Sequence, residues 1–152
     1  MRAVMSDKLC IPKGIFEEML LHCKEAYPNE ACGILSGKGE EVLKVYKMAN
    51  IEKSPVSYEF DSREHIKAIR DMRENNHTML AIFHSHPSSP AYPSAKDMNL
   101  AFYEDCIYVI VSLSASGGEK QLGCESKRPV VKGFLIREGN VKSVSLLIHD
   151  KM

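Results

Sequence analysis

The sequence has no excess of charge: 20 lysines and arginines stand against 20 aspartates and glutamates. A nucleic-acid binder carries a basic surplus to neutralise phosphates, and a protein lying on a membrane needs a basic amphipathic face, so neither partner is expected. Long apolar runs are missing as well. The longest, Met79 to Phe83 and Ile107 to Val111, fall far short of the roughly 20 residues that cross a bilayer. Residues Met1 to Lys8 lack the apolar stretch of a signal peptide. There is no C-x-x-C pair. The five cysteines, Cys10, Cys23, Cys32, Cys106 and Cys124, are odd in number and widely spaced, which argues against a disulfide framework and for a reducing cytoplasm. The first four sit in apolar segments and read as small buried hydrophobes. Cys124 lies in a polar stretch and would pair with Cys106 only in a hyperthermophilic setting. Repeats, low-complexity tracts and linkers are absent too. With 152 residues, 44% of them apolar, the chain can bury a core, and one domain over residues 1–152 is the expectation.

Short elements alternate along the chain. Lys8 to Ile11 reads as a strand, and Pro12 opens a helix whose apolar face is Ile15, Phe16, Met19, Leu20 and Cys23, ended by Pro28. Ala31 to Ser36 and Glu41 to Met48 read as a hairpin around Gly37-Lys38-Gly39, and Val56 to Phe60 as a further strand. Asp61 and Glu64 have the spacing of a capping box, with Ile66, Ile69 and Met72 on one apolar face of the helix that follows. Its charged residues read as a solvated face. Met79 to Phe83 is a strand buried on both faces that runs into His84-Ser85-His86-Pro87. A loop with Pro87, Pro90 and Pro93 leads to a short helix from Ser94 to about Tyr103, then a strand from Cys106 to Leu113. Ser114 to Pro129 is polar and long for a connection, and Val130 to Arg137 with Val141 to Ile148 forms a last hairpin. The fold class is α/β (α+β), with a mixed central sheet flanked by helices.

His84 and His86 lie two apart in a strand, so both imidazoles project to one face. Two neutral imidazoles and an aspartate from a following helix would give three protein ligands and leave one position open, as in a catalytic zinc site. Asp97 is well placed for the third: Ser94 would cap its helix, and Asp97 would lie in the first turn, pointing back toward the loop that begins at His86. Each piece alone is weak. H-x-H occurs on ordinary surfaces, and S-x-x-D is an ordinary helix start. Joined by a proline-stiffened loop they are far more specific.

The run His84-Ser85-His86-Pro87 with Ser94-Ala95-Lys96-Asp97 reproduces the H-[ST]-H-x7-S-x2-D signature of the JAMM (MPN+) zinc metalloproteases, and Asn29-Glu30-Ala31-Cys32-Gly33-Ile34-Leu35 resembles that family's glutamate leading into a C-G-x-L strand. The likeness extends over essentially the whole chain and is to the small stand-alone prokaryotic members. It implies the JAMM/MPN fold, related to the cytidine-deaminase-like architecture. It implies one zinc ion held by His84, His86 and Asp97 with a water in the fourth place, Glu30 as general base and Ser94 as hydrogen-bond donor to the oxyanion, a contribution typically of about 3 kcal/mol. Glu30 rests on the resemblance alone; as a residue it reads as a solvated acid at a helix-to-strand turn, and Glu25, Glu59 and Glu64 look no worse by spacing.

The resemblance further implies an isopeptidase or peptidase; the cysteine usage places it in the cytoplasm, and a monomer and a homodimer are both left open. It would act after the C-terminal Gly-Gly of a ubiquitin-like or sulfur-carrier protein, either freeing the carrier from lysine side chains or trimming a C-terminal adduct such as a cysteine. With no second Cys/His cluster, a single zinc and recognition of an extended tail are expected, the tail adding to an exposed strand edge. Three other readings compete. A 2-His-1-carboxylate set also describes Fe(II) oxygenases, but those favour double-sheet β folds; zinc nucleobase deaminases need H-x-E and P-C-x-x-C, and both are missing. A metal-stabilised, non-catalytic interaction module would not need Glu30 and Ser94 for chemistry. The remaining His22, His65, His77 and His149 lack partners at ligand spacing; Ser85, on the opposite face from the histidines, is expected to hold the loop by hydrogen bonding; Tyr92 either lines a substrate channel or packs on the proline loop; and Met19, Met48, Met72, Met79 and Met98 fill core.

Overall fold

The structure, a computed structural model, describes residues 7–114 and 128–150. In chain order the elements are β1 (Lys8–Pro12), α1 (Lys13–Ala26), β2 (Cys32–Lys38), β3 (Glu41–Met48), α2 (Ser62–Glu74), β4 (Thr78–His86), α3 (Ala95–Asn99), β5 (Ile107–Ser112), β6 (Val130–Arg137) and β7 (Asn140–His149). Most of the expected 114–129 connection, and Cys124 with it, lies outside the described residues.

The strands form the mixed sheet anticipated from the sequence, in the order β1-β3-β2-β4-β5-β6-β7. Hairpins make β2/β3 and β6/β7 antiparallel, whereas β4 and β5 run parallel because the connection between them crosses over the sheet. The sheet also closes on itself. β1 runs parallel to β7 over its whole length and meets β3 where Cys10 lies opposite Glu41, so few strand edges are left free.

Strand alternation divides the core. In β4, Ala81 and Phe83 face the cluster built with Ile15, Met19, Leu20 and Cys23 of α1, together with Val109 and Val111 of β5 and Leu35 of β2. Ile82 faces the other way, into a cluster with Tyr108, Ile110, Phe134 and Ile136. By the same two-residue period His84 and His86 share the face of Ile82. Gly33 in β2 is there for space: a Cβ would overlap the Phe83 ring and the Tyr46 carbonyl. The hairpin turns use Gly39 and Gly139 at φ 61 and 80, the left-handed region that glycine enters without a Cβ clash.

Four expectations are corrected. Val56 to Phe60 is not a strand, because Asn50 has claimed its backbone: the Asn50 amide donates to the Ser57 carbonyl, its oxygen accepts from Glu59 N–H, and a lone bridge joins Asn50 to Phe60. On α2 the buried residues are Ala68 and Met72, while Ile66 and Ile69 are exposed. Asp61 caps α2 through Arg63 and Glu64 N–H, but the Glu64 carboxylate turns to Ala49 N–H instead of reaching back. Finally, α3 stops at Asn99, and Tyr103 N–H is taken by the Tyr108 hydroxyl of β5.

Candidate metal centre

β4 delivers two histidines to one point. His84 lies between Cys32 of β2 and Ile110 of β5, and His86 lies opposite Ser112, so the ligand strand is fixed on both sides. Ser85 faces the other way, as its position requires. Its hydroxyl accepts from Ala31 N–H at 2.8 Å while its own N–H donates to the Ala31 carbonyl at 3.0 Å. Those two bonds tie the histidine strand to the residue beside Glu30.

The third group arrives from the crossover. Ser94 and Asp97 form a reciprocal capping box: the Ser94 hydroxyl accepts from Asp97 N–H at 3.0 Å, and Asp97 Oδ2 accepts from Ser94 N–H at 2.9 Å. This turns the Asp97 carboxylate toward β4. Its Oδ2 lies 3.2 Å from His84 Nε2 and 3.0 Å from His86 Nε2, and the two imidazole nitrogens are 3.1 Å apart. Among the described residues, these are the His, Cys, Asp and Glu side chains whose ligand atoms cluster within 4.8 Å.

The donor set fits a cation. His86 Nδ1 lies 2.7 Å from the Pro90 carbonyl; a carbonyl only accepts, so Nδ1 carries a proton and Nε2 is the nitrogen turned toward Asp97, free to bind a metal when it gives up its proton. Burial opposes the charged ring, but the bonds to Asp97 and the Pro90 carbonyl raise the pKa of His86 in the metal-free protein. Complete burial lowers the pKa of His84 and favours its neutral form. Burial opposes ionisation of Asp97 too, yet hydrogen bonds from His84 and His86 and the Ser94 N–H hold its carboxyl far below the usual carboxylate range. Three ligand atoms thus converge at hydrogen-bond distance, an arrangement in which a divalent ion would take the place of the bridging protons.

Glu30 lies near enough to this centre to feel the charges of His86 and Asp97. It is 4% exposed, and its Oε1 is buried with no hydrogen-bond partner. Its backbone is clamped, N–H to the Ser54 carbonyl and carbonyl to the Asn50 amide. Burial pushes its pKa up from 4.5 to about 8; the fields of His86 and Lys96 pull it down, and those of Asp97 and Glu52 add to the rise. A buried carboxylate oxygen left unpaired is costly in a purely structural role and serviceable as a proton acceptor.

The centre opens onto a cavity of about 440 Å³ between segment 52–60 and residues 96–103. Two of its features had no signal in the sequence pattern. Tyr58 stacks on His84 with centroids 4.7 Å apart and planes at 26°, and Lys96 pairs with Glu52 at 3.8 Å, joining α3 to that segment. Tyr92 packs edge-on against Phe134. The other histidines have separate partners: His22 bonds the Cys32 carbonyl, His77 bonds Ser36, His149 bonds Glu41, and His65 packs edge-on to Phe60. Cys23, Cys32 and Cys106 are buried free thiols and Cys10 is half-buried. Met19, Met48 and Met72 are buried, with Met79 and Met98 packed at the core margins. No helix among the described residues is long and apolar enough to cross a membrane.

The chain has known relatives. It is 37% identical over 106 residues to a CysO-cysteine peptidase of Mycobacterium tuberculosis, covering 68% of this chain and 73% of that protein. It is 35% identical over 94 residues to a probable TtuB-protein conjugate cleaving protease of Thermus thermophilus, covering 61% and 63%. A solution structure of a Desulfitobacterium hafniense protein superposes with a TM-score of 0.80 at 39% identity, over 95% of this chain and 94% of that one. The family described as prokaryotic homologs of the JAB domain matches residues 12–124, which include Glu30, His84, His86, Ser94 and Asp97. The chain belongs to that family of prokaryotic JAB-domain proteins.

Proposed function

We propose that this protein is a zinc-dependent peptidase that hydrolyses the amide bond after the C-terminal Gly-Gly of a ubiquitin-like or sulfur-carrier protein. The observation that carries the reading is the meeting of His84 Nε2, His86 Nε2 and Asp97 Oδ2 near Glu30, whose buried Oε1 has no hydrogen-bond partner. The relatives support the substrate class, since one is named for removing cysteine from a carrier and another for cleaving carrier–protein conjugates.

In this reading His84 and His86 bind the ion through Nε2 and Asp97 through its carboxylate. Bound zinc supplies Lewis acidity, polarising a carbonyl and making a water acidic near pH 7. As water adds to the scissile carbonyl, Glu30 accepts its proton at the unpaired oxygen. When the C–N bond breaks, the same carboxyl returns the proton to the leaving nitrogen. Burial raises the Glu30 pKa in the metal-free protein, and a cation beside it would draw that pKa back down, toward the range that suits both directions of transfer. Ser94 is exposed, and while its oxygen accepts from Asp97 N–H its own proton remains available for the carbonyl oxygen as that atom gains charge. Pro90 and Tyr58 fix the imidazole planes.

The test joins metal analysis to product analysis. Purified protein should hold close to one zinc per chain, lose hydrolysis when the metal is stripped and regain it with zinc. Iron in the site, or cleavage that survives metal removal, would contradict the reading.

A further inference from the structure

The sheet face that carries His84 and His86 is thinly covered. Ile82, Tyr108, Ile110 and Ile136 project on that side, and it is covered by the irregular segment 52–60, the five-residue α3 and the irregular residues 100–106, with no long helix. The gap is the cavity of about 440 Å³, room for roughly 15 waters at about 30 Å³ each. Ile82, Ile110 and Ile136 line it, with Tyr58, Phe60 and Tyr108, while His84 and Asp97 border it on the metal side. At its margin Leu100, Phe102 and Tyr103 are 47%, 74% and 42% exposed. Three large apolar residues exposed within four positions, beside an open apolar cavity, mark a surface that a ligand covers.

We propose that this cavity is a specificity pocket for an apolar side chain, that of the residue immediately preceding the Gly-Gly pair in the carrier's tail. The inference rests on the peptidase reading above. Two glycines offer only backbone, so the residue before them is the first that a side-chain pocket can read. In an extended tail that residue projects to the same side as the terminal glycine, and its Cα lies about 7 Å back along the chain. A tail whose last carbonyl sits at the metal and which runs back between segment 52–60 and residues 96–103 brings this side chain over the cavity that His84 and Asp97 border. The leaving side fits less well: the CH2SH of a cysteine is too small for the space, and a lysine presents only a methylene chain. Of the charged lining residues, Asp97 is turned to the two histidines, and Glu52, Glu59 and Lys96 are exposed, with Glu52 and Lys96 already paired. A charged side chain pushed to the isoleucine floor would lose water without gaining a partner.

The test uses labelled peptides ending in Leu-Gly-Gly, Ala-Gly-Gly or Asp-Gly-Gly, titrated by fluorescence anisotropy into the zinc-loaded protein, and the same tails joined to an amine as substrates. The wild type should bind the Leu tail roughly 10- to 50-fold more tightly than the Ala tail, as three more buried carbons imply, with the Asp tail weakest. The preference should appear mainly in KM. Ile136→Phe, which fills the floor, should shrink the Leu-to-Ala ratio toward one. Phe102→Ala, at an exposed position that folding does not depend on, should reduce it several-fold. Equal binding of Leu and Ala tails by the wild type overturns the pocket, as does a preference that both variants retain in full. Cleavage after Gly-Gly without tail preference refutes the pocket and leaves the peptidase reading standing. A Leu preference that the variants lose, with no cleavage of any tail, supports the pocket and refutes that reading.

Discussion

Replacing Glu30 with glutamine tests whether its carboxylate is as desolvated as the structure indicates. In the metal-free folded protein, burial raises the Glu30 pKa from 4.5 to about 8. Below pH 4.5 the residue is protonated whether the chain is folded or not, and it carries no ionisation penalty. As pH rises further the unfolded chain releases the proton and the folded chain keeps it, so stability falls by about 1.4 kcal/mol per pH unit until pH passes about 8. By pH 7 the loss is on the order of 3 kcal/mol. Glutamine does not titrate, and the cost of burying its amide is the same at every pH. The stability of Glu30→Gln relative to wild type should therefore improve by about 3 kcal/mol between pH 4.5 and pH 7, or roughly 6–12 °C in Tm for a chain of this size. Chemical denaturation of the metal-free proteins across that range measures it directly. Adding zinc should shrink the gap, because a nearby cation relieves the carboxylate. A gap that stays constant from pH 4.5 to pH 8 would show that Glu30 ionises as in the unfolded chain and would refute the argument.

Other variants probe separate links. His86→Ala and Asp97→Ala should lose zinc and activity together, seen by metal analysis after dialysis, whereas Glu30→Gln should keep the zinc and lose roughly 10²- to 10⁴-fold in kcat. Ser94→Ala removes both the cap of α3 and the proposed oxyanion donor; a fall in kcat on the order of 100-fold with about 1 kcal/mol of lost stability is expected, and unchanged kcat would sink the donor role. Ser85→Ala leaves the buried Ala31 N–H without its 2.8 Å partner and should cost about 1–3 kcal/mol in denaturant titrations. Gly33→Ala drives a methyl into the Phe83 ring and the Tyr46 carbonyl and should destabilise by several kcal/mol, beyond the ordinary range for a surface substitution.

Local patterns made much of this architecture readable. The H-x-H at a strand end, the S-x-x-D helix start and the period-two alternation through β4 are short-range features, and the structure brings His84, His86 and Asp97 together as that spacing implies. Glu30 is different. Its place depends on Ala31 pairing with Ser85, 54 residues away, which no spacing rule encodes, and so only the family resemblance singled it out. The misread segment at Val56 to Phe60 has the composition of a strand, but strand formation needs a partner, and the Asn50 side chain occupies the groups a partner would use. Ile66 and Ile69 obey helical spacing, yet α2 turns Ala68 and Met72 to the sheet, because the small alanine allows close approach where isoleucine would not. Closure of the sheet through β1 is likewise a long-range pairing, of Lys8 with Ser145 and the residues that follow.

The most direct test of the central claim is intact-mass spectrometry of a carrier protein ending in Gly-Gly-Cys after incubation with the zinc-loaded enzyme, with Glu30→Gln in parallel. The account predicts a carrier shortened to its Gly-Gly terminus and free cysteine with the wild type, and an intact carrier with the variant. A carrier left whole by wild-type protein that holds one zinc, tested also as a lysine conjugate, would contradict it, and so would equal cleavage by both proteins.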